Sequence, residues 1–186
     1  MAAQVEPLMT VEDLDAMPED GNRYEVIEGE LFVSRAPALP HQIWSGNLFA
    51  NLWNYLSTNP IGRVVATPGL VFGQYSGVIP DLVFFIHGRD DELISGGRLV
   101  GAPDIVIEIL SPGRENAARD RVAKRQLYAQ HGVKEYWIVD GENRAIEIYR
   151  LGTKGLGLAP VLRLGDNITS PLLPGFSCPV ASVFEQ

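Results

Sequence analysis

The chain has 186 residues, 46% hydrophobic and 20% charged, which is the composition of a globular protein and excludes a disordered, collagenous or coiled-coil chain. It has no run of 18 apolar residues, no leader that pairs a basic region with an apolar stretch, and one cysteine, Cys178. These features argue against a membrane span, a secretory signal, an intramolecular disulfide and a cysteine-based zinc site, so we expect a cytoplasmic protein.

The formal net charge of −8 is unevenly distributed along the chain. Residues 1–30 contain nine acidic residues and one basic residue, so this segment alone carries a charge of −8. In the balanced remainder, residues 114–125 contain five basic and two acidic residues. The overall charge at first sight argues against a nucleic-acid partner, but it describes the N-terminal segment and says little about a site elsewhere.

Hydrophobic periodicity and turn residues predict an extension over residues 1–8 and a single domain over residues 9–186. The predicted elements of this domain are a short helix (9–18), a hairpin (23–34), a long amphipathic helix (41–57), three strands (64–72, 80–86 and 103–110), a helix (115–131) and a second hairpin (134–150). Residues 87–102 are predicted to form a polar loop with short helical potential. This order predicts an α/β or α+β fold, with a central mixed sheet flanked by helices and an N-terminal hairpin and short helix.

Two acidic residues lie inside apolar strands, where a carboxylate is costly to bury unless it is paired, protonated or metal-bound. Asp81 opens one strand directly after Pro80, and Glu108 lies between two isoleucines of the next. Pairing of the two strands can bring these acids together. Asp104 competes for this role, but it lies about 13 Å from Glu108 along the same strand and is interpreted as a turn or strand-start residue. The alternative is structural, with Asp81 capping a strand and Glu108 paired with a buried arginine.

Two carboxylates and a backbone carbonyl, such as that of Ile109, form a platform for Mg²⁺, with Mn²⁺ as a substitute. Lys124 on the following helix is the candidate catalytic cation. Asp120, Lys124 and Tyr128 fall on one helical face, because they are spaced by four residues. An ordinary surface pair of Asp120 with Lys124 explains the same spacing and stays open at this point.

Several stretches resemble the Uma family of endonucleases. These stretches are MTVEDLDAMPEDGNRYEVIEGEL, Pro40-His41, IPDLVFF, GAPDIVIEILSP, RDRVAKRQLYAQHGVKEYWIVD and SPLLPGF, and they cover nearly the whole chain from Met9 onward. The resemblance implies a restriction-endonuclease-like fold of the PD-(D/E)XK superfamily, with a Mg²⁺-dependent nuclease site in a mixed sheet.

When the family motif is placed on this sequence residue by residue, the resemblance assigns its two acids to Asp81 and Glu108. The motif lysine should follow the second acid by two residues, but this position is Leu110, and Lys124 is the replacement from the next helix. Accessory residues within or near the motifs complete the candidate set: Glu25 as a further acid, His41 as a helix cap or orienting residue, and Tyr128 as a lining residue.

The leading hypothesis is a Mg²⁺-dependent DNA endonuclease that hydrolyses phosphodiester bonds. Four arginines near the start of the basic helix are the predicted phosphate contacts, namely Arg114, Arg119, Arg121 and Arg125. A catalytically inactive nucleic-acid-binding or assembly protein of the same fold is the alternative. A two-carboxylate glycosidase is disfavoured, because Trp44, Trp53 and Trp137 have the spacing of core residues rather than of sugar platforms. Cleavage of both strands of a duplex favours a homodimer or higher homo-oligomer.

Overall fold

The computed structural model describes residues 8–111 and 113–185, apart from the side chains of residues 114 and 115. The helices are α1 (Val11–Leu14), α2 (Leu39–Thr58), α3 (Asp90–Leu93), α4 (Arg114–Ala118), α5 (Arg125–His131) and α6 (Val180–Phe184). A π-helical segment, Arg119–Lys124, joins α4 to α5. The predicted extension over residues 1–8 lies outside the described residues except for Leu8.

Most strands belong to two six-stranded sheets. The first sheet has the order β2-β1-β5-β4-β8-β7 and consists of β1 (Arg23–Ile27), β2 (Glu30–Ser34), β4 (Leu70–Val71), β5 (Gly77–Val78), β7 (Ile94–Ser95) and β8 (Arg98–Val100). The second sheet has the order β12-β11-β10-β9-β6-β3 and consists of β3 (Gly62–Ala66), β6 (Leu82–Ile86), β9 (Ile105–Ile109), β10 (Glu135–Asp140), β11 (Ala145–Gly152) and β12 (Gly155–Leu162). A separate antiparallel pair is formed by β13 (Asn167–Ser170) and β14 (Leu173–Pro179).

The second sheet lies at the centre of the molecule and is covered on both faces. One face packs against α2, α6 and the β13–β14 pair in a core that includes Leu52, Ile107 and Trp137. The other face packs against α5 and the first sheet in a core that includes Val106 and Tyr136. Every residue of β9 and β10 is therefore buried, as the nearly continuous apolar run of β9 predicts.

Local sequence explains the elements at the N-terminal end. Thr10 caps α1, and its hydroxyl accepts a hydrogen bond from the Asp13 amide while the Asp13 carboxylate accepts one from the Thr10 amide. Glu28 and Gly29 form the two-residue turn between β1 and β2 with φ values of 52° and 85°. Two positive φ values are typical of a hairpin turn, because they match the twist of the strands.

The predicted mixed α+β class, the N-terminal hairpin and the short first helix are confirmed. Four details of the sequence prediction are wrong. The predicted strand over 64–72 is divided between β3 and β4, which belong to different sheets. The predicted loop over 87–102 contains β7 and β8 as well as α3, which agrees with its short helical potential. The C-terminal segment contains three strands that were not predicted. Trp53 was expected in the core, but its side chain stacks on Phe49 at the surface and is 58% exposed.

No helix in the described part of the chain is long and apolar enough to cross a membrane.

Candidate active site

The antiparallel pairing of β6 with β9 brings the two predicted acids together. Leu82 pairs with Ile107, so Asp81, one residue before Leu82, comes opposite Glu108, one residue after Ile107. Directly opposed residues of an antiparallel pair project from the same face of the sheet. Both carboxylates are almost completely buried, and both line one small pocket.

The Asp81 carboxylate is held by three groups from three elements. Its Oδ2 accepts a hydrogen bond from the Ile109 amide at 2.8 Å and lies 3.2 Å from Nε2 of His41 on α2. Its Oδ1 lies 3.3 Å from the guanidinium of Arg23 on β1. Asp81 directly precedes the first residue of β6, and its side chain accepts the hydrogen bond of the last amide of β9. Its predicted structural role at the start of a strand therefore applies together with its place in the pocket.

Lys124 lies at the centre of the acidic cluster. Its Nζ lies 2.9 Å from Oε1 of Glu108, 2.9 Å from Oε1 of Glu25 and 3.9 Å from Oδ1 of Asp120. Lys124 and Asp120 are each only 2% exposed, so the interpretation of these two residues as a surface pair is wrong. The structural alternative, in which Glu108 pairs with a buried arginine, is also wrong, since the cation paired with Glu108 is Lys124.

Tyr128 belongs to the same hydrogen-bond network. Its hydroxyl donates to Oε1 of Glu108 at 2.8 Å, and its ring packs edge-on against Tyr136. The hydroxyl of Tyr136 donates to the backbone carbonyl of Asp120 at 3.1 Å. These two tyrosines tie the π-helical segment to the sheet, because they connect β9 and β10 to residues on the helix.

The charges in the cluster influence one another strongly. Burial raises the pKa of Glu108, and the nearby charge of Lys124 only partly opposes this effect. Burial also raises the pKa of Asp120, again against Lys124 and Arg119. Burial alone would lower the pKa of Lys124, but the carboxylates of Glu108, Glu25 and Asp120 outweigh it and raise that pKa, so the ammonium stays charged.

Asp81 has the opposite behaviour from Glu108. Burial raises its pKa, but the hydrogen bond and charge of His41, the Ile109 amide and the charge of Arg23 together outweigh burial. The net effect is a pKa below the usual range. The two opposed carboxylates therefore differ in proton affinity, which is frequent in functional sites.

The donor set of this pocket fits a hard divalent cation. Among the described residues, no three or more histidine, cysteine or acidic side chains form a ready-made metal cage. Mg²⁺ does not require one, because it commonly binds one or two carboxylates and keeps several waters. Asp81 and Glu108 supply two carboxylates. The free volume between the pocket walls is about 20 Å³, room for roughly one water-sized species, so an ion that keeps several waters requires the pocket to widen.

The predicted arginines are spread over different surroundings. Arg119 lines the acidic pocket and donates to Asp120 at 3.2 Å. Arg121 points its guanidinium at Asp140 and Glu147, at 2.6 and 2.7 Å. Arg125 lies over the ring of Tyr149, 5.2 Å from its centroid. The side chain of Arg114 lies outside the described part of the structure.

Asp104 lies immediately before β9, where the strand-start interpretation placed it. It is fully buried and ion-paired with Lys134 at 2.7 Å and with Arg89 at 3.2 Å. Its carboxylate also accepts a hydrogen bond from the Ile86 amide at 2.9 Å. This acid belongs to a separate cluster at the opposite end of β9 from Glu108.

Sequence reasoning missed Arg23 and Arg35, which both line the acidic pocket. A signal for Arg23 was present, because it is the single basic residue among the nine acids of residues 1–30. It also precedes Glu25 by two residues on β1, and residues spaced by two share one face of a strand. Arg35 follows β2 and carries no comparable pattern.

Residues 11–181 match the Uma2 family, which is described as "Putative restriction endonuclease". The chain belongs to this family. The predicted family and fold are thereby confirmed, and the Uma2 match covers every described residue of the acidic pocket.

A solved structure shares the fold of this Uma2 protein. It is a crystal structure from Anabaena variabilis, described as a "putative nuclease belonging to DUF820", with a TM-score of 0.75 and 20% sequence identity. The alignment covers 95% of this chain and 97% of that chain. No curated protein matches the sequence of this Uma2 protein.

Proposed function

We propose that this protein is a metal-dependent DNA endonuclease that hydrolyses phosphodiester bonds at the pocket between Asp81, Glu108 and Lys124. The observation that carries the proposal is the opposition of two buried carboxylates on neighbouring strands, with a buried lysine ammonium 2.9 Å from one of them. Membership of a restriction endonuclease family supports the reaction class. The same membership supports DNA as the substrate.

In this proposal, Asp81, Glu108 and the backbone carbonyl of Ile109 hold Mg²⁺ or Mn²⁺. When bound, the ion would polarise a phosphate oxygen and lower the pKa of a bound water. Lys124 supplies a fixed positive charge next to the phosphodiester, where negative charge develops during hydrolysis. Lys124, at the end of the π-helical segment that follows α4, replaces the motif lysine, whose place in the sequence is taken by Leu110.

Other residues position these groups. Glu25 and Tyr128 hold Lys124 and Glu108 through hydrogen bonds and ion pairs of 2.8–2.9 Å. His41 orients the Asp81 carboxylate from α2. Arg23, Arg35 and Arg119 line the pocket and offer positive charge to the phosphates on either side of the bond that is cut.

A cleavage assay on single-stranded, duplex and branched DNA, with Mg²⁺ and with Mn²⁺, tests this function. We expect metal-dependent products from the wild type and a loss of at least a hundredfold for Glu108→Gln, since a metal ligand and a partner of Lys124 are removed together. Asp104→Asn is the matched control, because Asp104 is a buried acid at the other end of the same strand. Equal cleavage by wild type and Glu108→Gln would contradict the proposal.

The substitution of the motif lysine by Leu110 favours one alternative, a catalytically inactive nucleic-acid-binding or assembly protein. This function predicts DNA binding that does not depend on metal and is unchanged in Lys124→Ala.

A cytoplasmic location and a homodimeric or higher oligomeric state stay predictions. An oligomer would place two sites on the two strands of a duplex. A monomeric mass at micromolar concentration would contradict the oligomer.

A further inference from the structure

A larger groove of about 700 Å³ adjoins the acidic pocket, and His41 and Ser111 line both of them. One wall of this flanking groove is the amino end of α2, with Ala38, His41 and Trp44, and the opposite wall is the turn between β10 and β11. The volume suits a small organic ligand of the size of a nucleotide.

The amino end of α2 is an electropositive feature of this groove. The helix is 20 residues long, has no side-chain cap at Ala38 and has no acidic residue in its first turn. Pro40 has no N–H group, so the amides of Leu39 and His41 are the donors that helix geometry leaves without an intrahelical acceptor. The helix dipole adds a partial positive charge at the same place.

A second, independent observation is the imidazole of His41. Its side chain is 5% exposed, its Nε2 is held by Asp81, and its Nδ1 is buried with no hydrogen-bond partner among the described residues. A buried polar atom without a partner is costly, and a groove ligand that displaces the atoms covering Nδ1 would satisfy it. Nδ1 can take part in a hydrogen bond whether or not it carries a proton. Without a proton it accepts from a sugar hydroxyl, and with a proton it donates to a phosphate oxygen.

The wall of the groove also contains an aromatic ring. Trp44 is partly buried, packs edge-on against Phe184 and lies so close to the backbone of Gly141 that a side chain at that position would collide with it. This packing fixes the indole in place. A fixed aromatic ring beside a phosphate-binding helix end is the arrangement on which single-stranded nucleic acids stack their bases.

The opposite wall carries acidic residues, and their charges are balanced locally. Asp140 is paired with Arg121 at 2.6 Å and accepts hydrogen bonds from Asn143. Glu142 belongs to the turn between β10 and β11 and also lines the groove. The charge of Asp140 is thus balanced by Arg121, and the dipole of α2 keeps its amino end positive.

We propose that this flanking groove binds an unpaired nucleotide next to the scissile phosphodiester, with its phosphate at the amino end of α2 and its base against Trp44. The position next to the scissile bond rests on the proposed nuclease function, whereas nucleotide binding in the groove does not. The substrate class is thereby narrowed to single-stranded DNA or to duplex ends and junctions that expose unpaired bases.

The test measures binding of a fluorescein-labelled oligothymidylate to the full chain by fluorescence anisotropy, in EDTA so that cleavage does not interfere. Ala38→Asp and Ala38→Asn form one pair, because Ala38 is exposed and both substitutions cap α2 equally well, but only aspartate repels a phosphate. We expect severalfold weaker binding for Ala38→Asp than for Ala38→Asn, with both variants at least as heat-stable as the wild type.

Trp44→Leu and Trp44→Phe form the second set, with Trp53→Leu as the control on the exposed side of the same helix. Loss of a stacking ring is expected to weaken binding roughly tenfold in Trp44→Leu, while Trp44→Phe and Trp53→Leu bind nearly as well as the wild type. The Ala38 pair keeps the test valid if Trp44→Leu does not fold. Equal binding by the two Ala38 variants, or by Trp44→Leu and Trp53→Leu, would overturn the proposal.

Competition by a free nucleotide distinguishes a polynucleotide site from a mononucleotide site. Comparison of binding with cleavage distinguishes failure of the groove proposal from failure of the nuclease proposal. Thymidine monophosphate is added as a competitor, and displacement of the oligonucleotide only at much higher concentration is expected for a polynucleotide site. Binding of the free nucleotide without binding of the oligonucleotide would contradict the proposal. Variant-dependent binding without any cleavage would refute the nuclease function alone, whereas Glu108-dependent cleavage with variant-independent binding would refute the groove alone.

Discussion

Lys124 is a cation buried completely among carboxylates, and this fact determines what its removal should do. Lys124→Met would remove the cation that Glu25, Glu108 and Asp120 share, and would leave Arg119 as a counterion of Asp120 alone. Breaking a buried ion pair from one side costs about 3–5 kcal/mol, because the remaining charge stays desolvated. We expect a loss of this size in the free energy of unfolding, measured by urea denaturation, together with loss of cleavage.

A double variant distinguishes this electrostatic cause from a simple packing defect. Adding Glu108→Gln to Lys124→Met removes one of the stranded charges, so the double variant should lose less stability than the two single variants added together. The expected difference is about 0.5–3 kcal/mol, the range for residues in direct contact. Strictly additive losses would contradict the ion-pair explanation.

Asp104 provides a prediction about pH that does not involve the acidic pocket. Burial raises its pKa, but the hydrogen bond and charge of Lys134, the Ile86 amide and the charge of Arg89 outweigh burial and lower it. Because the pKa is lower in the folded than in the unfolded chain, the ionised carboxylate stabilises the fold above the unfolded pKa of about 4. This stabilisation is lost as the pH falls through the folded pKa.

The comparison of wild type with Asp104→Asn measures this effect. The difference in the free energy of unfolding should be about 1–3 kcal/mol near pH 7 and should shrink steadily below pH 4. Urea unfolding curves over this pH range supply the measurement. A difference that stays constant down to pH 2 would mean that the charge of Asp104 makes no contribution.

At the residue scale, pocket residues could be predicted from the sequence where burial of their charge would be costly. Asp81 and Glu108 stand out in the sequence because acids rarely interrupt apolar strands without a partner. Arg35 does not stand out, because an arginine after a strand is common at any surface. Its position in the pocket depends on the pairing of the first sheet, which no local pattern encodes.

The π-helical segment Arg119–Lys124 is the element that sets the direction of Lys124. A π-helical turn contains an extra residue relative to an α-helix, and such segments occur frequently at functional sites. Here both Asp120 and Lys124 are buried, while Val122 between them is 49% exposed. The extra residue thus allows Asp120 and Lys124 to be buried while α5 keeps Leu127 and Tyr128 in the core.

Deletion of Val122 tests this role of the segment. Removing one residue should restore α-helical geometry and rotate the residues on one side by about 100° relative to those on the other. Lys124 and Tyr128 would then lose the direction that they share with Asp120, which lies on the other side of the deletion, and cleavage should fall to background even if helicity, measured by circular dichroism, is retained. Val122→Ala is the control and should keep wild-type activity, because the side chain is half exposed. Wild-type activity in the deletion variant would show that the extra residue is dispensable.

At the element scale, prediction was best where a segment was long and strongly patterned. The helix over 41–57 and the strand over 103–110 agree closely with α2 and β9. Among the C-terminal strands, β12 was missed because it contains Pro160 and three glycine or alanine positions, which weaken any strand signal, and because half of its residues are exposed. The π-helical geometry was not predicted, since the sequence of residues 115–131 has ordinary helical spacing.

At the scale of the whole molecule, the acidic segment 1–30 forms part of the pocket, although the sequence suggests that the two are separate. β1 lies within that acidic segment and contributes Glu25 and Arg23 to the pocket. The first sheet carries these residues across the face of the second sheet, so the pocket forms only when both sheets are assembled. Ligand binding at the pocket should therefore be linked to the stability of the entire fold.

Metal-linked stability measures this coupling. A cation that binds only the folded chain stabilises it by RT ln(1 + [M]/Kd), about 2.7 kcal/mol at a concentration of one hundred times Kd. For a chain of this length, the midpoint of thermal unfolding should rise by roughly 5–10 °C when MgCl₂ is added. The rise should be absent in Asp81→Asn and Glu108→Gln, which each remove one carboxylate ligand, and should persist in Asp104→Asn. KCl at the same ionic strength controls for screening of the acidic N-terminal segment, and an equal rise with KCl, or in all three variants, would contradict a cation site between Asp81 and Glu108.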